Sequence, residues 1–321
     1  MSASPSTLTS LGLSCYTANL VRYLAVEWDA GEIFARSVRL AVRGDGPSGG
    51  LAFSHHAPAL DLLPDGTRLR YAGAGSAVAA LAELDRELAG YGRFLTVVDG
   101  SRLPWSPAAG AGPAPHWLLV DGRDGDRWHV VDDFTGLLPG GEQLPHTGWL
   151  DTDRLCRAMT LPPRWTPEQE RRNSLAFGTP VPLPAVRTAL WLRRTLDTEP
   201  AAVQPGQCWV TGDTQVLPFL ADHFAEHGTA AAVHLDDLWA AAGHRTYAYR
   251  LRLARIGTGT GTDTGTGRSA ERRALGTAID RWENLPRQLR FAVESARRGR
   301  PRPALLRGVF EELLLAERDL V

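Results

Sequence analysis

Apolar residues recur at helical spacing through residues 14–26, where Leu20, Val21 and Leu24 share one face and Ser14 stands at the N-cap position. The period returns over 76–89, with Val78, Leu81, Leu84 and Leu88 as the stripe and Ser76 at its start. Between them, 31–43 reads as a helix or a helix followed by a strand, closed by the turn Gly44-Asp45-Gly46-Pro47. Residues 49–54 read as a short strand, and the apolar run 94–98 predicts a buried one. After a Pro/Gly/Ala loop over 104–115, runs at 117–120 and 128–131 flank Gly122-Arg123-Asp124-Gly125, which predicts a hairpin.

Beyond residue 160 the texture changes. Pro162-Pro163 and the segment 180–184 interrupt, and helical periods then predict helices over 185–196, 214–227, 234–242, 270–282, 285–298 and 303–318. Tyr247, Tyr249, Leu251 and Leu253 alternate, a strand period within 244–256. Residues 257–267, GTGTGTDTGTG, have the composition of a flexible surface loop and lack the lysine and glycine spacing of a phosphate cradle. The expected fold class is α+β. A catalytic domain is expected over 1–160 and a mainly helical accessory or substrate domain over 161–321.

Composition narrows the chemistry. A chain of 321 residues holds one large domain or two ordinary ones, and 43% hydrophobic residues suffice for a core. All 35 cationic residues are arginine. With no lysine there is no Schiff-base chemistry of that kind, no P-loop lysine and no kinase strand lysine. Three Ile and three Asn against 33 Gly and 22 Pro point to a GC-rich genome as the source of the bias. A net charge of −1 gives no global pull toward nucleic acid or an anionic membrane. No apolar run approaches the roughly 18 residues of a spanning helix, and residues 1–10 lack the regions of a secretory signal. The expected compartment is a bacterial cytoplasm.

Cys15, Cys156 and Cys208 are odd in number and form no CxxC, which argues against a disulfide framework or structural zinc. His55 and His56 are adjacent and would point oppositely in a strand. His223 and His227 are spaced i, i+4 but lack the HExxH glutamate, so no metal is expected.

Cys15 opens the first predicted helix, where the positive end of the helix favours thiolate and free backbone N–H groups can receive an oxyanion. His116 opens the strand Trp117-Leu118-Leu119-Val120. Asp132 ends the partner strand, so a hairpin returns it beside His116, where a carboxylate would fix the tautomer and stabilise the imidazolium. Asp133 is the alternative orienting acid. Cys208, after Gln207 and before Trp209, is a rival nucleophile without a following His-strand and Asp-strand, and Cys156 reads as structural.

This order resembles the papain-like cysteine-protease fold, in the branch of the C39-type leader peptidases and the acyltransferase of butirosin biosynthesis. The resemblance covers about 1–135. It is carried by Ser14-Cys15-Tyr16-Thr17-Ala18-Asn19-Leu20 and by the stretch from Phe94 through Asp99 and Leu103-Pro104-Trp105 to His116 and Asp132. It implies a Cys15, His116, Asp132 triad. The leader peptidases carry a Gln just before the Cys; here Thr9 and Ser10 stand there, which departs from peptide hydrolysis.

The resemblance implies an acyltransferase or condensing enzyme. It would take an acyl or aminoacyl group from an acyl or peptidyl carrier protein and form an amide on a small-molecule amine such as an amino sugar, in antibiotic biosynthesis. The lincosamide-antibiotic condensing enzymes are a second similar group. No cofactor is implied beyond the phosphopantetheine that arrives on the carrier. A peptidase or thioesterase, and a non-enzymatic interaction module, are the alternatives. Asp99, Trp105 and Tyr16 are expected to line the acceptor pocket. Carrier docking would fall to arginines: Arg171-Arg172, Arg193-Arg194, Arg272-Arg273 and Arg297-Arg298 with Arg300 and Arg302.

Overall fold

The structure, a computed structural model, describes residues 12–45, 50–108, 112–138, 140–196, 209–258 and 265–320. In chain order the first elements are α1 (Cys15–Leu24), α2 (Ala30–Ser37), β1 (Val38–Asp45), β2 (Gly50–His56), β3 (Arg68–Ala74), α3 (Ala77–Tyr91) and β4 (Phe94–Asp99). Then come β5 (Pro115–Asp124), β6 (Arg127–Asp132), β7 (Gly136–Leu138), β8 (Gly141–Gln143), β9 (His146–Asp151), α4 (Thr152–Met159) and α5 (Pro167–Phe177). The last are β10 (Ala189–Thr195), β11 (Val210–Thr211), α6 (Asp213–Glu226), α7 (Leu235–Thr258), α8 (Gly265–Arg297) and α9 (Pro303–Arg318). The protein is α+β with antiparallel sheets.

Two compact units divide the chain. Among the described residues, one comprises 12–33 and 58–196; the other comprises 34–57 and 209–320. The first is built on a six-stranded sheet of order β3-β10-β4-β5-β6-β9. Alternate residues of adjacent strands, Val98, Leu118, Val130 and Trp191 among them, pack on Leu84 of α3 and on Leu155 and Met159 of α4. Every residue of β4 is buried, which is why that strand reads as a continuous apolar run. On β5, Trp117 stacks on Tyr16 of α1 at 4.4 Å. Ser14 and Ser76 cap α1 and α3 as expected, each accepting the N–H three residues on. Of the expected α3 stripe, Leu84 is buried and Leu81 and Leu88 pack against the same core, while Val78 is 69% exposed; Ala77, Ala80 and Glu87 complete the buried face. The hairpin turns at Gly125-Asp126, with Gly125 at φ +60, and not over 122–125.

The boundary expected at residue 160 is not where the chain divides. Residues 185–196, expected as helix, contribute β10, which sits between β3 and β4. Ala189-Leu190-Trp191-Leu192 is buried throughout, and a short apolar run cannot be told from a helix segment by its period. Arg194, next on the same strand, is 8% exposed, pairs with Glu27 and Asp65, and lies over the rings of Trp28 and Tyr91. Strand pairing and this buried charge cluster bind residues beyond 160 to the first unit. Residues 34–57 instead form β1 and β2 of the second.

In the second unit, Leu40, Val42 and Leu51 of the β11-β1-β2 sheet join a core with Leu217 and Phe224 of α6, Trp282 and Leu289 of α8, and Phe310 of α9. The strand expected over 244–256 is part of α7. Its period is masked because Arg245 is buried, paired with Asp213 and stacked over Trp282, where an apolar residue would mark the helix face. The two helices expected over 270–298 are one, α8, running through Pro286 between the buried Leu285 and Leu289. Residues 257–258 and 265–267 of the Gly/Thr tract end α7 and begin α8, while 259–264 lie outside the described residues, as do Met1, Thr9, Ser10 and Cys208. Among the described residues no helix is long and apolar enough to cross a membrane.

Candidate active site

Cys15 is the first residue of α1, directly after the Ser14 cap, and its side chain is buried. His116 is the second residue of β5 and Asp132 the last of β6. Register decides whether strand residues meet, because a one-residue slip turns every side chain to the opposite face. The β5–β6 pairing runs Leu119↔Val131 and Val120↔Val130, then Gly122↔His129, leaving Asp121 as one extra residue in β5. Continued by one step, this register sets Asp132 opposite Leu118, which shares a face with His116. Without the bulge Asp132 would fall opposite Leu119 and project away. The bulge is fixed locally: Asp121 Oδ1 accepts from His129 Nδ1 at 2.6 Å, and a Cβ on Gly122 would meet His129 Cβ at 3.1 Å.

His116 Nε2 lies 2.9 Å from Asp132 Oδ1. The N–H is not well aligned with the carboxylate, so the contact is an ion pair more than a directional hydrogen bond. The Cys15 thiol is the ring's other electrostatic neighbour. Burial works against the charged ring, yet the Asp132 and Cys15 charges override it and raise His116 from 6.5 to about 10. Burial would push the Cys15 thiol up. The His116 charge, with help from the Arg172 guanidinium, brings it below the ordinary thiol value. Both effects favour a thiolate beside an imidazolium, the form in which a cysteine is nucleophilic.

Asp132 is wholly buried. Its Oδ2 accepts from Trp105 Nε1 and Gln143 Nε2, both at 2.8 Å, and its Oδ1 from Asn19 Nδ2 at 3.1 Å. Burial would raise this carboxyl, but His116 and these donors hold it below the usual range. Asn19, also wholly buried, donates to the Cys15 carbonyl at 3.0 Å and the Trp117 carbonyl at 2.7 Å, and accepts from the Asp133 N–H at 2.9 Å. One side chain thus fixes the cysteine helix, the histidine strand and the aspartate strand together.

No protein-family model and no curated protein matches the chain.

The other expected site residues take different places. Asp133 is half-buried and bonds Asn19 through its backbone, while Asp132 faces the histidine. Asp99 is buried and committed: it accepts from Ser101 N and Oγ and from Ala114 N, and pairs with Arg102. These bonds shape the loop that leads into β5 and His116. Trp105 holds Asp132 and stacks on His146 at 4.0 Å. Tyr16 is core, stacked on Trp117 and 4% exposed. Cys156 has its thiol pushed up by burial, the opposite of Cys15.

Among the surface arginines, Arg193 pairs with Glu83 and Arg194 is buried. Arg172 donates to the Pro115 carbonyl at 3.2 Å and to Glu168 at 3.1 Å, which sets it beside the mouth of β5. The pattern reading passed over Asn19 and Gln143. Asn19 carried a signal, a polar residue four positions after the cysteine on an apolar helix; Gln143 carried none, because only β8 brings it to Asp132.

His55 contacts Asp237 and His56 contacts Ser37, both buried, while His223 and His227 stack on one another at 4.6 Å. Among the described residues no group of three or more His, Cys, Asp or Glu side chains could hold a metal ion.

Proposed function

We propose that the first unit is a papain-like domain and that Cys15, His116 and Asp132 transfer acyl groups through a thioester on Cys15. The observation that carries this reading is a buried cysteine at the start of α1 together with His116, whose Nε2 lies 2.9 Å from the wholly buried Asp132 carboxylate. The Cys15 thiolate attacks the donor carbonyl. First-turn N–H groups of α1, which have no partner within the helix, receive the oxyanion. His116 gives its proton to the leaving thiol, then takes one from the incoming amine as the amide forms and Cys15 is released. Asp132 keeps the ring oriented throughout and stabilises it whenever it carries the second proton.

The donor is an acyl or aminoacyl thioester on a carrier protein and the acceptor a small amine such as an amino sugar, as in antibiotic assembly. This assignment is supported by the resemblance of residues 1–135 to that acyltransferase branch. The test incubates the protein with an acyl carrier-protein thioester and follows Cys15 by intact mass. An acyl adduct that an amine converts to amide is the expected result. Free acid released regardless of amine makes the enzyme a hydrolase. No adduct, with Cys15→Ala indistinguishable from the parent, overturns the enzymatic reading.

A further inference from the structure

Residues 287–302 hold six arginines and one glutamate in a chain whose net charge is −1. The glutamate, Glu294, pairs with Arg297 at 2.8 Å. Arg287, Arg290, Arg298, Arg300 and Arg302 line a groove of about 460 Å³ together with Phe291, which is 57% exposed. None of these five is ion-paired among the described residues; Arg302 reaches only the Ser295 hydroxyl, at 3.3 Å. Neighbouring arginines are matched: Arg250 with Glu283, Arg252 with Glu271, and Arg281 with Glu312. The unmatched charge is thus segregated. The helix dipole favours a cation at the end of α8, but that effect fades within the last turn and leaves Arg287 and Arg290 unexplained.

Positions 287, 290, 291 and 294 fall on one face of α8, and the turn after Arg297 extends that face through Arg298, Arg300 and Arg302. From 287 to 298 the rise is about 16 Å, three turns of helix. We propose that this groove docks an acidic helix of a partner protein, with carboxylates on the guanidinium forks and an apolar side chain over Phe291. Guanidinium groups match carboxylates in a fixed two-pronged geometry, and arginine with an aromatic neighbour is the composition of protein interfaces. A nucleic-acid surface carries a basic excess over its whole domain, whereas here the excess is confined to one helix end. The proposal stands apart from the reading of Cys15.

The test uses the full chain and a labelled helical peptide of about three turns, carrying carboxylates at i, i+4 and one leucine on the same face. Binding is followed by fluorescence anisotropy. Saturable binding is expected, weakened by roughly tenfold or more in the Arg290→Glu, Arg298→Glu double variant, and weakened also by Phe291→Ala and by added salt. Arg290→Gln with Arg298→Gln repeats the measurement should charge reversal disturb folding, judged by an unchanged melting temperature. Equal binding by the variants, no binding at all, or tighter binding of a single-stranded oligonucleotide of the same charge overturns the proposal. So does self-association that the double variant abolishes. Cys15 alkylation in the same samples reports separately on the catalytic reading.

Discussion

At the scale of single residues, the cysteine is made reactive by its neighbours. The alkylation rate of Cys15 should rise with pH through a midpoint below that of an ordinary thiol, about 8.5. Asp132→Asn removes the charge that keeps His116 protonated, so the ring's midpoint, followed by NMR, should fall from about 10. Alkylation at neutral pH should slow with it, since the direct effect of Asp132 on Cys15 is opposite in sign but weaker than that of His116. A His116 midpoint unchanged in the variant would refute the pairing. Asn19→Ala strands the Trp117 carbonyl, the Asp133 N–H and one face of Asp132 in a buried site. The expected cost is about 2–3 kcal/mol by urea denaturation, with slower Cys15 alkylation. That Cys15, His116 and Asp132 would come together could be read from residue type and order, because a helix start and a strand hairpin leave a trace in sequence. Asp99, Tyr16 and Trp105 could not be assigned, because which way a side chain faces depends on partners distant in the chain.

At the scale of elements, the α1 and α3 caps and the β5–β6 hairpin follow from local chemistry, and sequence pattern finds them. β10 does not, because its burial comes from β3 and β4, more than 80 residues earlier by the register Leu190↔Val97 and Leu190↔Gly73. Trp191, 2% exposed at the centre of the sheet, should cost about 3–5 kcal/mol when replaced by Ala, which a helix at 185–196 on a separate domain would not predict for the catalytic unit. The measurement is Cys15 alkylation and chemical denaturation of the same variant. Gly73 faces the 184–186 segment so closely that a Cβ would lie 2.1 Å from the Val186 carbonyl oxygen. Gly73→Ala should therefore destabilise by about 1–3 kcal/mol in the same assay.

At the scale of the whole molecule, the second unit should be the acid-labile one. His56 and His244 lie 4.6 Å apart, and both are lowered well below 6.5, His56 by burial with His244, His55 and Arg39, and His244 by burial with His55. Asp237 faces His55 in the same cluster. Neutral in the fold, these rings gain protons on unfolding at acid pH, so their contribution to stability is present above about 6.5 and lost as pH falls below it. Melting followed from pH 7 to pH 5 should show a fall that His244→Phe reduces; an equal fall in the variant would count against it. The sequence by itself determined the chemistry available: a lysine-free chain, a cysteine at a helix start, a histidine and an acid on paired strands, and the mixed α+β character. Only the tertiary structure decided which unit each segment joins, that Asp132 is the carboxylate facing His116, and that Asn19 and Gln143 hold it. The reason is physical. Capping, turns and nucleophile context act over a few residues, whereas strand neighbours, a bulge that sets register and the burial of a charge depend on contacts between segments far apart in the chain.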